Sequence, residues 1–520
     1  MKKIALCVAL CVALLFASCG KRDYRNLLPA DAFTVVSVNP ASIAGKADAG
    51  EPTGTVLYRL VEGAIDADMS PADRERMLAL IADPEKSGLD PHSDLFFFAM
   101  PDDLSAGRFT AGLLGKVKDR AAVKELLEWC GAADWEEAAA SGPTLVRGAL
   151  PEGLPEVVAF DDEAFLLLFS SDPGCDVEVV ARRLFAQKRG ESLMHRPELA
   201  RAFDAGNDIV LAMNYGPVFA QFMSQTGIGM TSIPGMEFLS RMSYVAPVNF
   251  EKGRIVSEMS LFFDGREAES QYREFVSGAQ KIDGGFLESL PGGNLALAAW
   301  SMKGARVYAM LQQIPMYSML LAMAPQVQTI LEAIDGDVAL AVHGFDAESD
   351  NLEITFLATA PHAGIVKSIL EVASGAEEYD AGVYRLRIDS RQWLYFGERD
   401  GRFYATTVPC MAASLAEGCG DFTDASALGT LFRGAYGAMN VDFVEIRQLL
   451  GDVFVPRNES QAQEQALAMK VLELFEKIEV RSERQERATF VVEMTDKERN
   501  AAATIYALIE ELGDRALQEE

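Results

Sequence analysis

The chain has 520 residues, 49% of them hydrophobic, and carries 47 basic against 77 acidic side chains for a net charge of −30. So acidic a surface repels phosphate backbones and anionic head groups, which argues against nucleic acid as a partner and against a peripheral basic membrane patch. The length exceeds what one core usually serves, so two to four domains are expected.

Lys2 and Lys3, the apolar run from Ile4 to Phe16, and Ala17 and Ser18 ahead of Cys19 read as a secretory signal over residues 1–18. A cysteine directly after small residues makes it a lipoprotein signal. Cys19 is then the lipidation site and the mature N-terminus, held on a bilayer at about 0.8 kcal/mol per buried methylene. The bland alternative is ordinary cleavage that leaves Cys19 a free thiol. Loss of Lys2 and Lys3 with the signal takes the net charge to −32. Residues 19–27 are read as a tether. The expected address is the cell envelope, lipid-anchored at the outer membrane, with the periplasmic or surface face left open. Cys130, Cys175, Cys410 and Cys419 remain in an oxidising compartment. Cys410 and Cys419 are near enough to pair, although sequence does not fix connectivity, and Cys130 is expected to be inert on a buried helix face.

From Leu28 the chain reads as two copies of one pattern. Leu28–Asn39, a Pro/Asp turn and a β-rich run, has its partner in Leu290–Ser301. Helical pattern follows at Thr55–Ile65 and Pro71–Ile81 in the first copy, and at Val307–Leu321 and Val327–Ile334 in the second. The buried strand Asp94–Met100 matches Asp337–His343. The most telling stretch is Phe109–Cys130 against Leu352–Ala373, at a constant offset of 243. There the apolar face Val123, Leu126, Leu127 recurs as Val366, Ile369, Leu370, a spacing only a helix lays on one side. Strand pairs follow at Glu156–Phe160 with Phe165–Ser170 and at Trp393–Phe396 with Phe403–Thr407, joined by turn-like connectors.

The last quarter of each copy shares Ala212-Met213-Asn214 with Ala438-Met439-Asn440. Hairpins are expected at Met242–Phe250 with Arg254–Phe263 and at Glu476–Arg481 with Ala488–Thr495, and each copy ends in an amphipathic helix. The predicted architecture is α+β, a tandem duplication of an antiparallel sheet with helices packed on one face. The first repeat spans 28–286, with subdomains at about 28–175 and 190–286. The second spans 287–520, with subdomains at about 287–410 and 425–520.

No stretch reads as a catalytic or metal site. Asp346, Glu348 and Asp350 alternate as in a calcium loop but lack its glycine and its bidentate acid, so a hairpin turn is the better reading. Asp161 and Asp162 likewise read as a turn. His92, His195, His343 and His362 show neither HxH nor HExxH spacing, and no P-loop, GxSxG or strand-borne GxGxxG is present. No cofactor is expected. Met310, Met316, Met319 and Met323, with Tyr308, Tyr317 and Leu320–Leu321, make a greasy helical segment that could grip an apolar ligand. Core packing is its ordinary meaning, and burial within the monomer is expected.

The signal ending in SCGK, the polar tether and the motif LPADAFTVVSVNPASIAGKA at Leu28–Ala47 resemble a family of large Bacteroidota lipoproteins known as a domain of unknown function. The resemblance implies a cell-envelope address and transfers no activity and no catalytic residue. The function expected is a non-enzymatic binding or structural module with an unknown envelope protein or glycan as partner. An envelope hydrolase with a dispersed site, or a carrier of an apolar ligand, is the alternative.

Overall fold

The β-rich runs become antiparallel strands wherever polar turns separate them. The computed structural model describes residues 23–50, 52–56, 58–59, 62, 70–103, 107–132, 134–137, 142–147, 156–219, 237–290, 292–346, 351–413, 425–453, 456 and 458–519. Contacts divide the chain into two units, Met1–Ala41 with Ile65–Ala205, and Ser42–Ala64 with Gly206–Glu520. Cys19 and the signal lie outside the described residues, as do Glu348 and Asp350.

In the first unit the strands are β1 (Thr34–Val38), β2 (Leu95–Asp103), β3 (Arg108–Lys116), β4 (Asp134–Glu136), β5 (Thr144–Arg147), β6 (Glu156–Phe160) and β7 (Ala164–Ser170). They pair antiparallel in the order β1-β2-β3-β7-β6-β5-β4. Helix α1 (Pro71–Ala82) precedes β2, and α2 (Arg120–Trp129) follows β3. Asp119 starts α2, its carboxylate accepting the Ala121 and Ala122 N–H groups at 2.9 and 3.2 Å. The helix buries Val123 and Leu127 against Val146, Val158 and Phe160. It ends at Trp129, so Cys130 is its C-cap and is exposed rather than on the buried face. The fold begins before Leu28: Asp23 caps a 3₁₀ turn at Tyr24–Leu27, and Tyr24 and Leu27 are both buried.

The second unit holds β8 (Ile209–Asn214), β9 (Met242–Glu251), β10 (Arg254–Phe263), β11 (Ala279–Gln280), β12 (Ala296–Lys303), β13 (Asp335–Asp346), β14 (Asn351–Thr359), β15 (Glu377–Asp380), β16 (Val383–Arg387), β17 (Trp393–Arg399), β18 (Arg402–Thr406), β19 (Gly437–Asp442), β20 (Phe475–Arg484) and β21 (Arg487–Met494). From β12 the order is β12-β13-β14-β18-β17-β16-β15, the order of the first unit repeated. The meander β8-β9-β10 likewise recurs as β19-β20-β21. A further ladder joins β10 to β21 antiparallel, from Arg254 opposite Glu493 to Ser260 opposite Arg487. Gly253 closes the β9–β10 hairpin at φ +71, where an L side chain would be strained and where a Cβ would stand 2.9 Å from the Lys497 Cα.

Side-chain alternation puts Val338, Ala358 and Phe403 on one face of this sheet, with Ile365 and Val366 of the helix Ile365–Val372, and puts Ala339, Leu357 and Tyr404 on the other with Phe286, Leu290 and Phe432. Residues 42–64 join this unit through ionic contacts. Lys46 Nζ and Ser42 Oγ each bond the fully buried Asp208 carboxylate at 2.6 Å, and Glu510 accepts the Val56 N–H at 2.8 Å. The helices used below are α3 (Val177–Ala186) and α4 (Pro197–Asp204) in the first unit, and α5 (Arg266–Phe275), α6 (Gly304–Gln312), α7 (Pro315–Met323), α8 (Gln326–Ala333), α9 (Ile365–Val372), α10 (Ala425–Phe432), α11 (Phe443–Val453), α12 (Glu459–Glu473) and α13 (Ala501–Glu519) in the second.

Candidate functional site

The methionine-rich segment folds as α6, α7 and α8 between β12 and β13. Two prolines set its breaks, one in the first turn of α7 and Pro325 at the start of α8, because a proline ring has no N–H to give to a preceding turn. Gly304 opens α6 hard against α8, where a Cβ would lie 1.6 Å from the Leu331 carbonyl oxygen. Tyr308, Ile314, Leu321, Ala333 and Ile334 point inward and are buried.

The outward face is what the sequence reading did not anticipate. Met319 is 62% exposed and Met323 77%, beside Leu320 at 50% and Tyr317 at 41%. Met310 is half-buried on α6, and the Met316 side chain lies outside what is described. The expectation that the segment is largely buried is corrected on this face, while Tyr308, Ile314 and Leu321 meet it. The reason is geometric: α7 is apolar at nearly every position, yet it spans only about 14 Å, and the helix it packs against is α6. From Val307 to Leu331 no residue is charged, in a chain in which 24% are. Large apolar side chains thus stand in the open on a stretch without charge, the kind of patch that interaction sites carry.

The other sequence candidates are held in structural roles. Asp161 Oδ1 accepts the Glu163 and Ala164 N–H groups at 2.9 and 2.8 Å, which makes it the organiser of a tight turn. His343 sits at a bulge in β13, between Val342 and Gly344, with its ring nitrogens 2.7 Å from Asn294 Oδ1 and 2.8 Å from Thr355 Oγ1. Burial pushes its pKa down to about 4, so the ring is neutral at physiological pH. His92 is exposed, 3.7 Å from Glu85. Among the described residues no group of three or more His, Cys, Asp or Glu side chains is placed to hold a metal. Cys410 is disulfide-bonded, Cys130 and Cys175 are free, and Cys419 lies outside the described residues.

A cleft of about 500 Å³ between α1 and α2 has Arg76, Asp83, Glu85, Lys86, Asp119 and Glu125 on its walls. Its charges are spent within the fold: Lys118 holds Glu85 at 2.7 Å, Arg76 donates to the Glu125 carbonyl at 3.1 Å, and Asp119 caps α2. No described helix is long and apolar enough to cross a membrane.

Comparison with known proteins places the chain at the level of a family. No curated protein sequence matches it. Among solved structures, "Structure of crystal form I of TP0453" aligns at 11% identity over 50% of this chain and 87% of that one, with a TM-score of 0.25. "Structure of crystal form III of TP0453" aligns at 12% identity over 51% of this chain and 90% of that one, with a TM-score of 0.26. Residues 24–501 match the family model described as "Domain of unknown function (DUF4836)", and the chain belongs to that family.

Proposed function

We propose that this chain is a cell-envelope lipoprotein of a Bacteroidota outer membrane, acylated at Cys19, that works as a non-enzymatic binding module. Its binding surface is α7, and the apolar partner that surface meets is the bilayer itself. The observation that carries the reading is the exposure of Tyr317, Met319, Leu320 and Met323 on a segment without charge. A second copy of the chain fits less well. A stable dimer buries about 800 Å² per partner, far more than one face of a helix about 14 Å long supplies.

Magnitudes favour a surface that the chain already touches. Each half-exposed side chain gains on the order of 1 kcal/mol on entering an apolar phase, so α7 alone binds weakly. An acylated N-terminus on the same bilayer raises the effective concentration and makes that small gain count. The same reading takes residues 28–286 and 287–520 as descendants of one ancestral unit, supported by the strand order shared by β1–β7 and β12–β18.

Two measurements test it. Metabolic labelling with an alkyne fatty acid should tag the wild-type chain and leave Cys19→Ala unlabelled; an unlabelled wild type sinks the lipoprotein reading. A chain carrying one myristoyl group at position 19, an anchor that alone holds a protein only marginally, should float with neutral phosphatidylcholine vesicles, and Met319→Gln/Leu320→Gln/Met323→Gln should cut the floating fraction at least fivefold. Equal flotation of both would remove α7 as the binding surface, and turnover of a glycan, peptide or lipid by purified protein would remove the non-enzymatic part.

A further inference from the structure

Helices α11 and α12 are fastened together by one long side chain. Arg447 of α11 reaches across with its guanidinium, donating from Nη1 to the carbonyl oxygens of Leu472 and Phe475, each at 2.7 Å. Those two acceptors lie at the last turn of α12 and the first residue of β20. Beside that clamp lies open space between the two helices.

The space they leave is a cleft of about 310 Å³ lined by Leu450, Gln461, Glu464, Gln465, Ala468 and Met469. On α12 the lining residues recur at intervals of three and four, so they form one stripe facing Leu450. Asn458 fixes the start of that stripe, its Oδ1 accepting the Gln461 N–H at 2.8 Å. The far end of α12 is held from outside by an ion pair of Lys470 with Glu511 on α13. Although α12 is fifteen residues long, none of its residues is buried, and Leu467 and Val471 are 44% and 39% exposed. A helix of that length with no buried residue leaves its side chains open to a ligand.

We infer that the α11–α12 cleft is a binding site for one small molecule with a single apolar chain and an uncharged or cationic head group. Leu450, Ala468 and Met469 contact the chain; methionine is suited to that, because its flexible thioether fits irregular apolar shapes. The one ionisable group of the lining is the acid Glu464, and the nearby bases Arg447 and Lys470 are occupied by carbonyls and by Glu511. An anionic head would therefore meet a carboxylate and no countercharge. The volume lies at the lower bound for small-molecule pockets, which suits one chain and excludes a two-chain lipid. This site is independent of α7 and of the lipid on Cys19.

The test uses the mature chain without its acyl group, residues 20–520, which keeps every described residue, and three probes with the same ten-carbon tail: decan-1-ol, decylamine (an ammonium at pH 7.4) and decanoate. Calorimetry should find one saturable site for the alcohol and the ammonium, and decanoate at least tenfold weaker. Ala468→Trp fills the cleft and should weaken the alcohol at least tenfold; Leu450→Gln should do so without adding bulk, which covers the case in which the tryptophan disturbs folding. Glu464→Gln should bring decanoate to within about threefold of the alcohol, and Val179→Gln on α3, an exposed position outside both surfaces, should leave decanol binding unchanged. The proposal is overturned by the absence of saturable binding, by binding that survives both cleft variants, or by decanoate binding as tightly as decanol.

Discussion

Glu398 caps a helix that lies 33 residues earlier in the chain: its Oε1 accepts the Ile365 N–H at 2.6 Å, and its carboxylate takes the Gly364 N–H at 3.0 Å as well. In α2 the same office is performed locally by Asp119. The residue of the second copy at the position of Asp119 is His362, which cannot serve, and the carboxylate comes instead from the end of β17. A carboxylate accepting orphan N–H groups at a helix start contributes about 1–2 kcal/mol. Glu398→Ala should lower stability by about that amount, and Glu398→Gln by less, read as a shift in urea midpoint at constant slope. No shift for the alanine variant would show that water caps α9 equally well.

Gly304→Ala should be far worse than its one added methyl suggests. The methyl would stand 1.6 Å from the Leu331 carbonyl oxygen and 2.6 Å from its carbon, and both are backbone atoms of α8. Overpacking against atoms that cannot rotate away costs about 3 kcal/mol or more. Thermal unfolding of the variant checks it, and wild-type stability would mean that α6 and α8 are free to slide.

His343 gives the fold an acid dependence whose sign follows from its burial. The folded ring titrates at about 4, whereas the unfolded one titrates near the ordinary 6.5. Between those values the unfolded chain takes up a proton that the folded chain refuses. Stability is therefore complete above about pH 6.5 and falls as the pH drops towards 4, by roughly 3 kcal/mol at most. Asp90 acts in a lower window. Burial opposes its ionisation, but Lys116, Ser93 and the His92 N–H outweigh that and hold it at about 2, so its contribution disappears only below the ordinary carboxylate range. Urea midpoints at pH 7.5 and pH 5 should differ in the wild type and converge in His343→Asn.

The thiols should react in a fixed order. Cys130 is exposed beyond the end of α2 and should be alkylated by maleimide in the native protein; Cys175, half-covered at 3.6 Å from Thr110 Oγ1, should react more slowly. Cys410 should be modified only after reduction. Peptide mass mapping with timed quenching reads the order, and rapid native modification of Cys410 would contradict the disulfide.

What the sequence made legible was local. The β9–β10 hairpin followed from Glu251-Lys252-Gly253 between β-rich runs, and α2 and α9 followed from Val123 and Leu127 recurring as Val366 and Leu370. What it hid depended on neighbours. Periodicity placed Cys130 on the inner face of α2, but the helix stops one residue short and turns the thiol outward. Tyr317, Met319, Leu320 and Met323 have the composition of a core, and nothing in their order tells that Leu321 is covered and they are not. The cap from Glu398 and the clamp from Arg447 reach across 33 and 25 residues, distances at which no local pattern announces a partner. The α11–α12 cleft was missed because Leu450, Ala468 and Met469 are thinly spread among glutamines and acids.

The ladder between β10 and β21 has a consequence for the order of events during synthesis. Arg254–Ser260 is made early, yet the strand that covers its free edge, Arg487–Glu493, is among the last to emerge. Until translation has passed residue 494, every growing chain carries an open row of backbone donors and acceptors that any neighbouring chain could pair with. Nascent molecules of this protein thus have a built-in period of vulnerability, and truncations that remove the final strand should be recovered as aggregates while full-length chains remain dispersed.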